Sequence, residues 1–392
     1  MTVAPVDSET SALLMKTVVF LHQTAELYGS DRTLLSLATK LDRGLATPVV
    51  VLPREGPLAD ALRKGGVEVR LLPVAHLSRS SMTLLGFLRL LWRVPYSSYR
   101  LARHFGRVDL VHSNTLAVLG AALWCRWRRI THVWHVHEIV RRPLIGRRVL
   151  AWMLEHLADR VVFNSEASRQ SMLEVRPGLA ARSVVVHNGV SAPDGSRSSL
   201  REEMGVDPER VVIALVGRIS SWKGQSLLVQ AAEVLHERGI SATYWIAGAP
   251  VAGQEHFQEA IESRLAESAV GGQFSLLGFL EDPWKIWHAC DIAVVPSTEP
   301  EPFGLVAVEA MLAGRPIVGA AHGGLLEIVI DGLTGRLFEP RSADSLADAL
   351  EELINDPEKR RRMGSEGAAR ARSEFSEARY VGAIEALYRE LL

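Results

Sequence analysis

The sequence predicts an α/β protein made of two doubly wound parallel sheets, one after the other. Three observations carry that prediction. The length of 392 residues exceeds what one hydrophobic core usually organises. Short apolar, β-branched runs alternate with longer helical patterns, which is the rhythm of parallel strands joined by crossover helices. That rhythm halts at a stretch rich in Ser, Pro and Gly, Ser191–Ser199, and then begins again.

In the first half the candidate strands are Thr17–Leu21, Pro48–Leu52, Val67–Leu71, Asp109–His112, Thr131–Val136, Arg160–Phe163 and Ser183–Val186. The second half offers Val211–Val216, Ala242–Ile246, Phe274–Leu277, Ile292–Val295, Pro316–Gly319 and Gly335–Phe338. Most of these runs are apolar almost throughout, as strands covered by helices on both faces require. Helical patterns of matching length separate them, and two or three amphipathic helices are expected after Ser342. The expected organisation is residues 1–190 as an N-terminal domain, 191–200 as linker, 201–375 as a C-terminal domain and 376–392 as a last helix. Two such Rossmann-like domains are expected to face each other across a cleft, where ligands usually bind.

Composition narrows the function classes. Hydrophobic residues make up 47% and charged residues 23%, a globular balance that excludes a disordered or collagen-like chain. Two cysteines, Cys125 and Cys290, are too few for a disulfide framework and fit a reducing compartment. No run of 18 apolar residues occurs, and Asp7 and Glu9 stand where a leader would be basic. A cytoplasmic location is therefore expected. Residues 1–190 hold 25 Lys and Arg against 14 Asp and Glu, a net of +11, whereas residues 191–392 hold 19 against 31, a net of −12. A basic half predicts an anionic partner. Met82–Val108 mixes Leu84, Leu85, Phe87, Leu88, Leu91 and Trp92 with five arginines, and Trp124–Arg129 and Arg141–Arg148 add seven more. Such a surface suits an anionic membrane face and a lipid-linked phosphate, or else it is a core helix with a solvated basic side. Nucleic acid is not expected, since no recognition motif of DNA- or RNA-binding modules is present.

The chemistry concentrates in Pro296–Gly319. A strand ends at Val295, and a short turn leads to Pro302-Phe303-Gly304, where a helix begins with its free amides aimed into the loop. Glu301 precedes that helix and Glu309 lies in its second turn, so the two acids can touch different parts of one ligand. The bland alternative is a helix cap and a solvated acid, although Val308 and Ala310 beside Glu309 suggest burial. Arg218 and Lys223 flank the turn from the strand Val211–Val216 into the next helix. Two cations at a helix start can hold a diphosphate, or can simply line a solvated loop. The chain has no D-x-D pair for a metal–nucleotide complex, so fixed cations are expected to balance a leaving diphosphate, and no metal or cofactor is predicted. In Trp134-His135-Val136-His137-Glu138, alternation puts both histidines on one side of the strand. A zinc site would need a further ligand at suitable spacing, and none follows.

Glu301–Glu309 with Pro302-Phe303-Gly304 resembles the E-x7-E element of retaining GT-B glycosyltransferases, especially glycosyltransferase family 4. Gly217–Gly224 resembles the G-R-x4-K-G phosphate clamp of that family, and Gly323–Glu327 with Asp331–Gly335 its G-G-x-x-E and D-G-x-T-G stretches. Asn164-Ser165 and Asn188-Gly189-Val190 match the family's N-domain exit signals, and the likeness covers about residues 17–390. It implies a GT-B fold whose last helix crosses back to the first domain. It also implies transfer from a UDP- or GDP-sugar with retention at the anomeric carbon. The acceptor would be a glycan, lipid-linked or small molecule, in surface polysaccharide or glycolipid synthesis. Glu301, Arg218, Lys223 and His137 would be catalytic, His137 by contacting the transferred sugar. Gly29, Gly278, Phe279, Leu280, Phe303, Gly304, Leu305 and Glu309 would join them in binding the donor. The first turn departs from the family's G-G-A-E-R: only Gly29 and Arg32 match, with Ser30 and Asp31 between them. A sugar-nucleotide 2-epimerase and a non-catalytic nucleotide-binding subunit are the alternatives.

Overall fold

The structure, a computed structural model, describes residues 16–77, 83–193 and 199–392, apart from the side chains of Leu84 and Phe87. Asp7, Glu9, Met82 and residues 194–198 of the expected linker lie outside the described residues. The chain divides into two compact units, residues 1–189 with 377–392, and residues 190–376.

Unit 1 is a seven-stranded parallel sheet of β1 (Thr17–Leu21), β2 (Thr47–Leu52), β3 (Glu68–Leu71), β4 (Leu110–Asn114), β5 (Thr131–Val136), β6 (Arg160–Phe163) and β7 (Ser183–Val185). Its order is β3-β2-β1-β4-β5-β6-β7. Successive side chains of β1 leave opposite faces of the sheet. Val18 and Phe20 join a core with Leu34, Leu37 and Val50, while Val19 and Leu21 join another with Leu101 and Trp124. The first of these cores also takes Tyr380, Ile384 and Tyr388 from the last helix, Glu377–Leu391. Unit 1 is therefore built from both ends of the chain.

Unit 2 is a six-stranded parallel sheet of β8 (Val212–Val216), β9 (Thr243–Ala247), β10 (Phe274–Gly278), β11 (Ile292–Val295), β12 (Ile317–Ala320) and β13 (Gly335–Phe338), in the order β10-β9-β8-β11-β12-β13. Three helices follow it: Ala343–Asn355, Pro357–Glu374 and Glu377–Leu391. In both units the strand order reverses beside the first strand, between β1 and β4 and between β8 and β11. Loops leaving the carboxyl ends of two such strands diverge and open a crevice.

The strands lie where the apolar runs put them, with ends moved by one or two residues. The largest move is at β4, which runs on past His112 to Asn114 because Ser113 and Asn114 still pair with Trp134 and His135. Polar side chains there hide the strand from a hydrophobicity pattern.

Candidate functional site

In unit 2 the loops after β8 and β11 are stitched together at the point of reversal. The Thr298 amide donates to the Trp222 carbonyl at 2.7 Å, and Gln225 Nε2 donates to the Arg218 carbonyl at 3.0 Å. Gly224 begins the helix Gln225–Glu237 at φ +81, and a Cβ there would sit 1.9 Å from the Pro296 carbonyl oxygen. Only glycine lets the two loops approach so closely. The result brings Lys223 Nζ to 2.7 Å from Glu301 Oε1, with the ammonium also 4.5 Å from the centre of the Trp222 ring. Glu301, 4% exposed, accepts a second bond from the Ser297 hydroxyl. The acid and the cation chosen from separate motifs are thus direct partners.

Behind Glu301 the backbone is equally crowded. Gly324 donates its amide to the Glu301 carbonyl at 2.8 Å, and a Cβ on Gly323 would lie 2.4 Å from that same oxygen. The G-G pair therefore holds up the acid from below. Phe303 is buried edge-on against Phe375, and Gly304 starts the helix Leu305–Leu312 at φ +115. Glu309 faces inward within that helix, 6% exposed, and accepts from Trp287 Nε1 at 3.3 Å. Gly278, at the end of β10, accepts from the Gly248 amide at 2.7 Å, followed by an exposed Phe279 and a Leu280 packed on the core.

Unit 1 carries a second polar cluster at its own point of reversal. His22 follows β1 and is fully buried; its Nε2 meets the Asp31 carboxylate and its Nδ1 lies 2.8 Å from the Asn114 carbonyl. Asp31 also accepts from the Thr24 hydroxyl and, at 2.8 Å, from the Tyr28 amide. Burial pushes its carboxyl up, but the His22 bond and charge, then Thr24 and Tyr28, outweigh burial and hold it below the usual value. His137 Nε2 lies 3.1 Å from Asn114 Oδ1, and its ring is 4.1 Å from that of His135. Burial first, then His135 and His22, depress the His137 pKa well below that of a free imidazole. Beneath it His112 touches His135 Nδ1 at 3.3 Å and the Tyr388 hydroxyl at 2.7 Å, and burial drives its pKa down to about 3. Glu138 turns to the backbone amides of Leu116 and His137, at 3.0 and 2.9 Å. Among the described residues no group of three His, Cys, Asp or Glu is placed to hold a metal ion.

Within unit 2 the structure unites Lys223, Glu301 and the loop carrying Arg218. Gly29 and His137 belong to unit 1, where Gly29 is the exposed first residue of the helix Gly29–Lys40. His22, Asn114, His112 and Tyr388 escaped the sequence reading. Their one local signal is the His112-Ser113-Asn114 run at a strand end, which puts two polar groups on the same side of β4.

Two family models match this chain, one described as glycosyltransferase family 4 over residues 28–192 and one as glycosyl transferases group 1 over residues 196–370. The D-inositol 3-phosphate glycosyltransferase of Nocardia farcinica is 31% identical over 68% of this chain, which spans 63% of that protein's length. The protein of the same description from Mycolicibacterium smegmatis is 35% identical over 72% of this chain and 67% of its own. Among solved structures, Anabaena Alr3699/HepE in complex with UDP and glucose has a TM-score of 0.81 at 26% identity, covering 95% of this chain and 99% of that one. A glycosyltransferase from Rickettsia africae has a TM-score of 0.81 at 19% identity, a likeness of fold alone.

Proposed function

Since this chain belongs to glycosyltransferase family 4, we propose that it moves a sugar from a nucleoside diphosphate to a hydroxyl acceptor with retention at the anomeric carbon. The carrying observation is the Lys223–Glu301 pair at 2.7 Å, held where β8 and β11 diverge. Lys223 and Arg218 neutralise the leaving diphosphate, helped by the amides at the start of the helix Leu305–Leu312. Glu301 orients a sugar hydroxyl and favours the positive charge that develops at the anomeric carbon. Glu309 accepts hydrogen bonds from the ribose, and Gly278, Phe279 and Leu280 lie against the base. His137 of unit 1 contacts the transferred sugar. The acceptor oxygen bonds to the anomeric carbon as the bond from that carbon to phosphate oxygen breaks. The acceptor proton passes to the departing phosphate, so no side chain need become a covalent nucleophile.

UDP is the first nucleotide to test, because the Anabaena protein was solved with it. Fixed cations in place of a metal make EDTA-resistant activity the expected result; loss of activity to EDTA, restored by magnesium, would refute this. We place the acceptor among glycans, lipid-linked sugars or small molecules of surface polysaccharide or glycolipid synthesis. A thermal-shift and hydrolysis screen of UDP- and GDP-sugars decides the donor. Ligand at a hundred times its Kd should stabilise the protein by about 2.7 kcal/mol. No shift with any nucleoside diphosphate would overturn the reading, and an epimerised sugar formed from donor alone would replace it with the 2-epimerase.

A further inference from the structure

Asn114 ends β4 opposite His135, and its carboxamide lies among three groups whose hydrogen-bonding roles are constrained. Its Nδ2 is 3.2 Å from the Ser30 carbonyl and 3.1 Å from His22 Nδ1; its Oδ1 is 3.1 Å from His137 Nε2. A carbonyl oxygen can only accept, so the amide hydrogens face Ser30. Oδ1 can only accept as well, so His137 Nε2 carries the hydrogen between them. A neutral imidazole has one N–H, which leaves the second nitrogen of His137 as a lone pair. His137 is half-buried, and its Nδ1 finds no hydrogen-bond partner among the described residues.

The backbone keeps Asn114 in that pose. Thr115, the next residue, is buried at φ +128, which is unusual for a β-branched side chain. It is pinned there by its amide to the His135 carbonyl at 2.9 Å and by Trp134 Nε1 to its own carbonyl at 3.0 Å. Leu116 then donates to Glu138 at 3.0 Å. A strained residue fixed by these two bonds turns the chain so that the Asn114 carboxamide lies between Ser30 and His137, and such strain gathers at functional sites.

We propose that Asn114 is a positioning residue that holds His137 as its Nε2–H tautomer, leaving Nδ1 an acceptor for a ligand hydroxyl and a repellent to a carboxylate or phosphate oxygen. The inference rests on the reading of His137 as a sugar contact and adds to it: the sugar position met there is an unoxidised alcohol. The groups facing His137 are His135 from β5, His22 and Asp31 from the first turn and helix, and Glu138, which accepts from its backbone amide. Burial and the two histidines oppose a charge on His137, and Asp31 alone favours one.

Long-range proton–nitrogen spectra of the full chain labelled with 15N-histidine test this without substrate. His137 is assigned by the signals lost in His137→Gln. The expected pattern is a bare Nδ1 and a protonated Nε2 from about pH 8 to about pH 6. A protonated Nδ1 in that range overturns the proposal. In Asn114→Ala with a native-like melt, His137 should lose the single-tautomer pattern; an unchanged pattern overturns the role of Asn114. Should that variant not fold, the wild-type spectrum still decides the tautomer. Because the spectra need no donor, they stand apart from the transfer reading. His137→Gln turning over the donor at the wild-type rate would overturn the hydroxyl contact itself.

Discussion

Lys223 has two neighbours for one ammonium, the carboxylate of Glu301 and the ring of Trp222. Its side chain is 16% exposed and that of Glu301 5%, so removing one partner leaves a nearly buried charge unpaired. Lys223→Ala should destabilise unit 2 by about 3 kcal/mol. The double variant Lys223→Met/Glu301→Gln should recover most of that stability yet stay inactive, and denaturant melts beside turnover assays read both. Recovery of activity in the double variant would make the pair merely structural. The two acids should separate in kinetics. Glu309→Gln weakens ground state and transition state alike and should mainly raise donor KM, whereas Glu301→Gln should mainly lower kcat. Each effect should be about ten- to a hundredfold, the worth of a charged hydrogen bond. A Glu309→Gln variant with wild-type KM would refute the ribose assignment. These residues were legible because each sits in a short run at fixed spacing beside a strand end. Asn114 was not, because its partners His22, Ser30 and His137 come from other strands and turns, and contacts across a sheet leave no local spacing to read.

At the scale of elements, strands announce themselves by apolar runs, and their ends blur wherever polar residues finish the ladder, as at Asn114. Loops depend instead on single backbone positions. Gly224→Ala adds a methyl 1.9 Å from the Pro296 carbonyl in a left-handed conformation, so the β8 and β11 loops must part. Nucleoside diphosphate binding by calorimetry should fall at least tenfold while unit 1 stays folded, and unchanged binding would refute the stitched-loop account. The buried histidines of unit 1 set an acid weakness. His112 has a folded pKa near 3 against an ordinary 6.5, and burial lowers His132 and His135 in the same direction. Below pH 6.5 the unfolded chain takes up protons that the folded sheet refuses, so stability is lost as pH falls. Glu138, raised by burial, works against this trend only nearer its own range. The melting temperature should decline from pH 6.5 downward, and His112→Gln should flatten the decline; a melt indifferent to acid would contradict the neutral-histidine picture.

For the whole molecule, charge and exposed apolar surface fall on the same unit. Trp92 is 80% exposed and Ile145 76%, on the helices Leu84–His104 and Leu144–Leu157, with exposed Arg89 and Arg93 beside Trp92. We expect this surface to dock on anionic lipid. Each basic side chain near the membrane contributes about 1 kcal/mol, and salt weakens it. Sedimentation with vesicles should rise with phosphatidylglycerol and drop at high salt, and Trp92→Ser should weaken it further; equal binding to neutral vesicles would refute the electrostatic account. The return of the last helix to the first unit has a different consequence, one of order in time. Residues 190–376 are an insertion within unit 1, whose core needs Tyr380, Ile384 and Tyr388. On the ribosome the half begun first must wait for Glu377–Leu391, while the half between them can already close. Until then the part of the N-terminal core that packs on Tyr380, Ile384 and Tyr388 stays open, with Leu34 and Leu37 covering the rest. A chain cut short before Glu377, where that helix begins, would spoil the end that was synthesised first.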